Sequence, residues 1–253
     1  MSSVFPLDDF VDRELKHFSI YDNQRSLGHL VDGLKISQRK VLWAMMKFGV
    51  WTKPKKVLAL SGEISSTSSY HHGEKSLMDA MVGMAQTFVN SNNVNLLYPS
   101  GQFGSKLRNG KDSADPRYLF TRLSHITKFI YKAEDGPVLS YEHDDEGKQI
   151  EPKYFVPIVA AVLLNGCNGI GTGYSTDVPM YHPIEVIDNH IALLHNEPLK
   201  SLVPWYRGFR GSVLKVDDRA GTFANRGIYE RVNDKTVRVT EVPVNQSFEA
   251  YKQ

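Results

Sequence analysis

Apolar positions recur at helical spacing in two stretches of the N-terminal half. In "KISQRKVLWAMMKFG", Val41, Leu42, Met45 and Phe48 share one face, Ser37 is a capping residue and Gly49 ends the pattern, which predicts a helix. In "YHHGEKSLMDAMVGMAQTFV", Leu77, Met81, Met84, Ala85 and Phe88 form a second stripe, with the polar run "SSTSSY" ahead of it as a cap. The methionines of that stripe read as core. Residues 91–117, with Gly101, Gly104, Gly110 and many Asn and Ser, predict loop or short strands, and "LFTRLSHITKFIY" then returns to helical spacing.

The pattern changes after about residue 133. "EHDDEGKQ" is a polar turn, "YFVPIVAAVLLNG" a buried apolar segment and "GCNGIGTGYS" a glycine-rich loop. A helix is expected at "HPIEVIDNHIALLHN", followed by strands at "GSVLKV", "GIYERV" and "TVRVTEV", the last two flanking the turn "NDK". Helices with a basic loop followed by an α/β region make an α+β chain, and neither an internal repeat nor a low-complexity segment interrupts it.

Composition narrows the classes. At 253 residues with 41% apolar content the chain can bury a core of one large domain or two ordinary ones. No apolar run is long enough to span a bilayer, and "MSSVFPLDDF" lacks the regions of a signal peptide, so no membrane partner and an intracellular location are expected. The single cysteine, Cys167, has no internal disulfide partner. Net charge is only +2, but residues 1–130 hold 17 Lys and Arg against 11 Asp and Glu while the rest holds 13 against 17. The basic half points toward a polyanion.

Candidate chemistry concentrates there. His71 and His72 in "YHHGE" lack the spacing of a zinc protease site; beside helix-start N–H groups they read either as a phosphate cradle or as capping and packing residues. "GCNGIGTG" lacks the strand, helix and Lys of a nucleotide loop, and "EHDDEG" reads as a solvated hairpin rather than a metal site. Between residues 104 and 128, Lys106, Arg108, Lys111, Arg117, Arg122 and Lys128 face only Asp112 and Asp115, a composition suited to phosphate. Within it stands Tyr118 of "DPRY". A phenol, with a pKa of about 10 in water, needs a base or nearby cation to act as a nucleophile, and Arg117 is adjacent. Composition alone leaves Tyr118 open as a core ring or a nucleophile.

Five stretches, "RSLGHLVDGLKISQRKVL", "SSYHHGEKSLMDAMVGMAQTFVNSNNVNLL", "GQFGSKLRNGKDSADPRYLFTRL", "EPKYFVPIVAAVLLNGCNGIGTGYS" and "YRGFRGSV", resemble in order the breakage-reunion region of type IIA DNA topoisomerases. The likeness is to the eukaryotic type, including versions carried by large DNA viruses, more than to bacterial gyrase. It implies a winged-helix domain over residues 7–133 and the start of a tower domain over 134–253. It also implies that Tyr118 attacks DNA to become linked to a 5′ phosphate, with Arg117 assisting. Lys35, Arg39, Lys40, His71 and His72 become contacts to the DNA backbone, joined by the basic-loop residues Lys106 and Lys111, and Ile170 of "GIG" an intercalating wedge with glycines that let backbone approach the duplex.

The resemblance further implies partners and cofactors outside this stretch. These are double-stranded DNA, a second copy in a homodimer, an ATPase domain with ATP and a TOPRIM domain holding Mg²⁺; the fragment itself is expected to bind no cofactor and no metal. A cellular relative would work in the nucleus, a viral one in the host cytoplasm, a viral factory or the nucleus. The chain departs from the family at Asp115, where serine is usual, and at "GCNG", where "GAEG" is usual. The rival readings are a non-enzymatic DNA-bending module that keeps the fold and a relative of winged-helix meiotic break-forming proteins; "PRY" argues against the first, the order of "GQFG" and "GIGTG" against the second.

Overall fold

A computed structural model describes residues 6–216 and 221–252. Helix α1 (Leu7–Phe10), a π turn (Val11–Leu15) and α2 (Lys16–Ser26) follow one another without a break, an N-terminal helix that apolar spacing does not reveal. Its apolar side chains, among them Leu7, Phe10 and Phe18, are exposed, so no buried stripe marks it in the sequence.

Helix α3 (Ile36–Lys47) buries Val41, Leu42, Ala44 and Met45. Its cap is Lys35, whose backbone N–H donates to Gln38 Oε1 at 2.9 Å; the expected cap, Ser37, lies inside the first turn. Gly49 ends the helix as expected. With φ of +65° it lets its own N–H reach Met46 O at 3.0 Å and the Val50 N–H reach Met45 O at 3.1 Å, the paired bonds of a glycine C-cap.

The next helix, α4 (Val57–Thr67), is also hidden in the sequence. It buries Val57, Leu60, Ser61 and Ile64, a helical spacing diluted by serine, and it takes up the first half of the run expected to cap the following helix. That helix, α5 (Glu74–Ala85), starts after Gly73 and buries Leu77, Met81, Met84 and Ala85. Strands β1 (Lys55–Lys56), β2 (Leu97–Ser100) and β3 (Phe120–Leu123) form an antiparallel sheet in the order β1-β3-β2. Strand β3 corrects the helix expected from its spacing. As the central strand it alternates exposed Phe120, buried Thr121, half-buried Arg122 and buried Leu123, and only then does the short α6 (Thr127–Ile130) begin.

A hairpin of β4 (Tyr141–His143) and β5 (Gln149–Pro152) turns through the acidic segment, as expected. Asp144 caps that turn, accepting from Lys148 N at 2.8 Å and Glu146 N at 3.1 Å, and these bonds hold its carboxyl below the usual range. The apolar segment expected to be buried is only partly so: Phe155, Val159 and Leu164 are buried, Tyr154, Val156 and Ile158 are exposed, and its later part forms α7 (Ala161–Asn165). The glycine-rich stretch expected as a loop is instead a hairpin, β6 (Cys167–Ile170) against β7 (Ser175–Val178). Helix α8 (Pro183–Leu194) follows where its pattern places it. The remaining strands pair as separate hairpins, β8 (Ser212–Lys215) with β9 (Phe223–Arg226) and β10 (Ile228–Asn233) with β11 (Thr236–Glu241), before α9 (Phe248–Lys252).

The buried cluster that unites α3, α4 and α5 continues through Phe155, Val159, Leu164 and Val186, so packing crosses the expected boundary at residues 133 and 134. A buried ionic knot adds to that continuity. Asp32, with a side chain showing 0% exposure, accepts from Arg39 Nε at 2.8 Å, Arg39 Nη2 at 3.0 Å, Leu34 N at 2.9 Å and Phe155 N at 2.9 Å.

Candidate nucleic-acid interface

The tyrosine is not a core ring. Pro116–Tyr118 form one 3₁₀ turn, started by proline and capped by Asp115, whose Oδ1 accepts the Arg117 N–H at 3.0 Å. The following residue, Leu119, is fully buried and its carbonyl accepts from Val57 N at 2.8 Å, after which β3 enters the centre of the sheet. A rigid anchor thus sits directly behind an open turn. Tyr118 is 69% exposed, whereas Tyr131 is 3% exposed and its hydroxyl is pushed well above the ordinary phenol range by burial and the nearby Asp32 charge. Arg117 stands beside it, also exposed, with Nε 2.9 Å from Asp115 Oδ1.

The loop before the turn is held from two sides. The Gln86 side chain donates to Phe103 O at 2.9 Å and Gly110 O at 3.4 Å, and a β carbon on Gly110 would lie 2.4 Å from Gln86 Nε2. From the other side, the C-terminal segment grips residues 106–109. Glu249 N donates to Leu107 O at 3.1 Å, Asn109 Nδ2 to Asn245 O at 3.3 Å, and Arg108 Nε meets Glu249 Oε2 at 2.7 Å.

Several expected phosphate contacts turn out to be engaged elsewhere. Arg39 belongs to the Asp32 knot, and the Lys40 ammonium is buried between Glu151 Oε2 at 2.8 Å and Ser68 O. Burial pushes the Glu151 carboxyl up even against the lysine. Lys106 donates to the Val244 carbonyl, and half-burial lowers the pKa of its ammonium. These three are struts of the fold. Arg122 lies over the Tyr98 ring at 4.3 Å. Lys111 is exposed, Lys35 half-buried at the start of α3, and His71 exposed beside His72. His72 bonds to Tyr21 on α2 and lies 5.3 Å, edge-on, from Tyr70; desolvation first, then the charges of Arg25, His71 and Lys40, lower its pKa.

Ile170 ends β6, pairs with Ser175 and is 80% exposed. Its neighbours explain why glycine flanks it. A β carbon on Gly169 would lie 2.1 Å from the Ser26 carbonyl oxygen, and one on Gly171 would lie 2.1 Å from Asn23 Oδ1. The glycines therefore admit the end of α2, a packing need where close approach of a duplex is the expectation from sequence. Two further bonds fasten the hairpin tip to that helix, Thr172 Oγ1 to Asp22 at 2.8 Å and Asn23 Nδ2 to Thr172 O at 3.1 Å. No local pattern links Asp22, Asn23 and Ser26 to residues 169–172, so sequence alone does not find these supports.

A cleft of about 810 Å³ is lined by Lys35, Gln38, Asn92, Asn168 and Asn245 among others, and Tyr118 does not line it. Among the described residues no group of three or more His, Cys, Asp or Glu side chains is arranged to hold a metal ion, and no helix is long and apolar enough to cross a membrane.

Tyr118 is thus exposed on a fixed turn beside Arg117, and Ile170 is exposed at a braced hairpin tip of the same chain. The chain belongs to the DNA gyrase/topoisomerase IV family, that of the A subunits, whose model matches residues 25–253. It is 46% identical over 246 residues to DNA topoisomerase 2 of Arabidopsis thaliana, across 96% of this chain and 17% of that protein. With DNA topoisomerase 2 of Caenorhabditis elegans it shares 46% identity over 97% of this chain and 16% of the relative. The chain thus spans about a sixth of the length of these relatives. The crystal structure of the Plasmodium falciparum topoisomerase II DNA-binding, cleavage and re-ligation domain superposes with a TM-score of 0.92 at 42% identity, covering 96% of this chain and 33% of that one.

Proposed function

We propose that this chain is the part of a type II DNA topoisomerase that grips and bends a duplex and supplies the nucleophile for its transient cleavage. Tyr118 Oη attacks a backbone phosphorus, the P–O3′ bond breaks, the phenolic proton passes to solvent and the departing 3′ oxygen takes one up. The new phosphotyrosyl bond retains the 5′ phosphate and is reversed by the same 3′ hydroxyl, so resealing needs no separate energy source. Arg117 stabilises charge on the phosphoryl oxygens, while Lys111, Lys35, His71 and His72 hold the DNA backbone. Ile170 enters between base pairs, exchanging stacking for a bend that brings more DNA onto the protein.

In this reading residues 7–133 are the winged-helix domain, to which the helices α3, α4 and α5 and the β1-β3-β2 sheet lend support, and residues 134–253 begin the tower. Strand passage, ATP hydrolysis, homodimerisation and Mg²⁺ binding belong to the whole enzyme, in the compartment that holds its DNA.

The observation that carries the proposal is the open position of Tyr118 on its anchored turn. Its test is to join the chain to a TOPRIM region of the family, add Mg²⁺ and duplex DNA, and map the covalent adduct. A 5′-phosphotyrosyl adduct on Tyr118, absent from Tyr118→Phe, is expected; an adduct on another tyrosine that survives Tyr118→Phe refutes the assignment.

A further inference from the structure

We propose that Asp115 is a positioning residue that occupies the Arg117 guanidinium until a DNA phosphate displaces it. One oxygen, Oδ1, accepts both from the Arg117 backbone N–H at 3.0 Å and from Arg117 Nε at 2.9 Å. A carboxylate and a phosphate offer a guanidinium the same kind of acceptor, and each is best bound by two adjacent N–H groups. With Nε already taken, the side of the fork that combines Nε with Nη is closed to a phosphate, and only the Nη edge is open.

Geometry keeps the competitor in place. Asp115 caps the 3₁₀ turn, Pro116 fixes the next residue, and Tyr118 N donates to Asp115 O at 2.9 Å, so carboxylate and guanidinium are held two residues apart on one rigid loop. Hydrogen bonds from Arg117 also hold the Asp115 carboxyl below its usual range, which keeps it charged at neutral pH. Both side chains are open to solvent, 61% for Arg117 and 50% for Asp115, so DNA can reach the pair and the attraction to be overcome is modest. The consequence is a lowered resting affinity at the turn that carries the nucleophile, with Arg117 released only when a phosphate arrives. The inference rests on the reading that Arg117 faces DNA.

The test measures binding of this chain to a short duplex by fluorescence anisotropy across a salt series. Asp115→Asn and Asp115→Ser each retain a side-chain oxygen able to cap the turn but lose the charge. Both are expected to bind about two- to fivefold tighter, with the slope of log affinity against log salt little changed, since Arg117 meets a phosphate in the bound state of the wild type and of the variants alike. Because the effect runs through Arg117, the gain should vanish when Asp115→Asn is combined with Arg117→Ala. A gain that persists in that background is general repulsion and overturns the proposal, as does the absence of any gain. Failure of the underlying reading has a different signature: Arg117→Ala alone would then leave affinity and slope unchanged.

Discussion

Replacing Asp32 with asparagine removes one charge from a carboxylate that serves four N–H donors in the interior. The shape survives, but the Arg39 guanidinium, only 6% exposed, is left without its counter-charge, and the new amide N–H₂ must face a donor on one side. Breaking a buried pair from one end costs about 3–5 kcal/mol. At about 2–4 °C per kcal/mol for a chain of this size, the melting temperature should fall by about 6–20 °C. Thermal and urea unfolding of the whole chain measure this, and hydrogen exchange at the Phe155 amide reports the local loss. Replacing both partners, as in Asp32→Leu with Arg39→Met, should cost less than the two single changes added, since no orphaned charge remains. If Asp32→Asn unfolds within about 1 kcal/mol of the wild type, an ordinary surface-like effect, the knot is not what joins α3 to residue 155.

Two further outcomes follow from the site. His72 has a lowered pKa, so the folded state favours its neutral form; its contribution to stability is present above about pH 6.5 and is lost as pH falls. The stability difference between wild type and His72→Gln should shrink from pH 7.5 toward pH 5, and a difference that widens over that range contradicts the reading. Gly169→Ala places a methyl carbon 2.1 Å from the Ser26 carbonyl, so the hairpin must lift off α2 at a cost of about 1–3 kcal/mol. DNA bending measured by fluorescence transfer should drop while the salt slope of binding is retained; an unaltered bend would show that α2 does not set the position of Ile170.

Helices α3, α5 and α8 are legible in the sequence because their apolar spacing and end signals agree, as at Gly49. Helix α4 is not, because Ser61 and its serine neighbours read as polar although Ser61 is buried and bonds back to Leu58 O at 2.8 Å. Strand β3 fits helical spacing locally and becomes a strand only because β1 and β2 pair with it from both sides. The same limit governs the site. Tyr118, Arg117 and Ile170 stand in short recognisable contexts and are exposed, but a positive residue type does not disclose its partner. Arg39 is neutralised by Asp32, Lys40 by Glu151, and Lys106 is bound to a carbonyl near the far end of the chain. Long-range pairing decides which cations face outward.

The grip of residues 244–249 on residues 106–109 makes that segment and the loop ahead of Tyr118 a mechanical linkage. A load that drags the C-terminal segment by a few ångströms either carries the loop with it or tears several bonds at once. Force applied at residues 244–249 therefore reaches the turn of Tyr118 through these bonds, without any messenger.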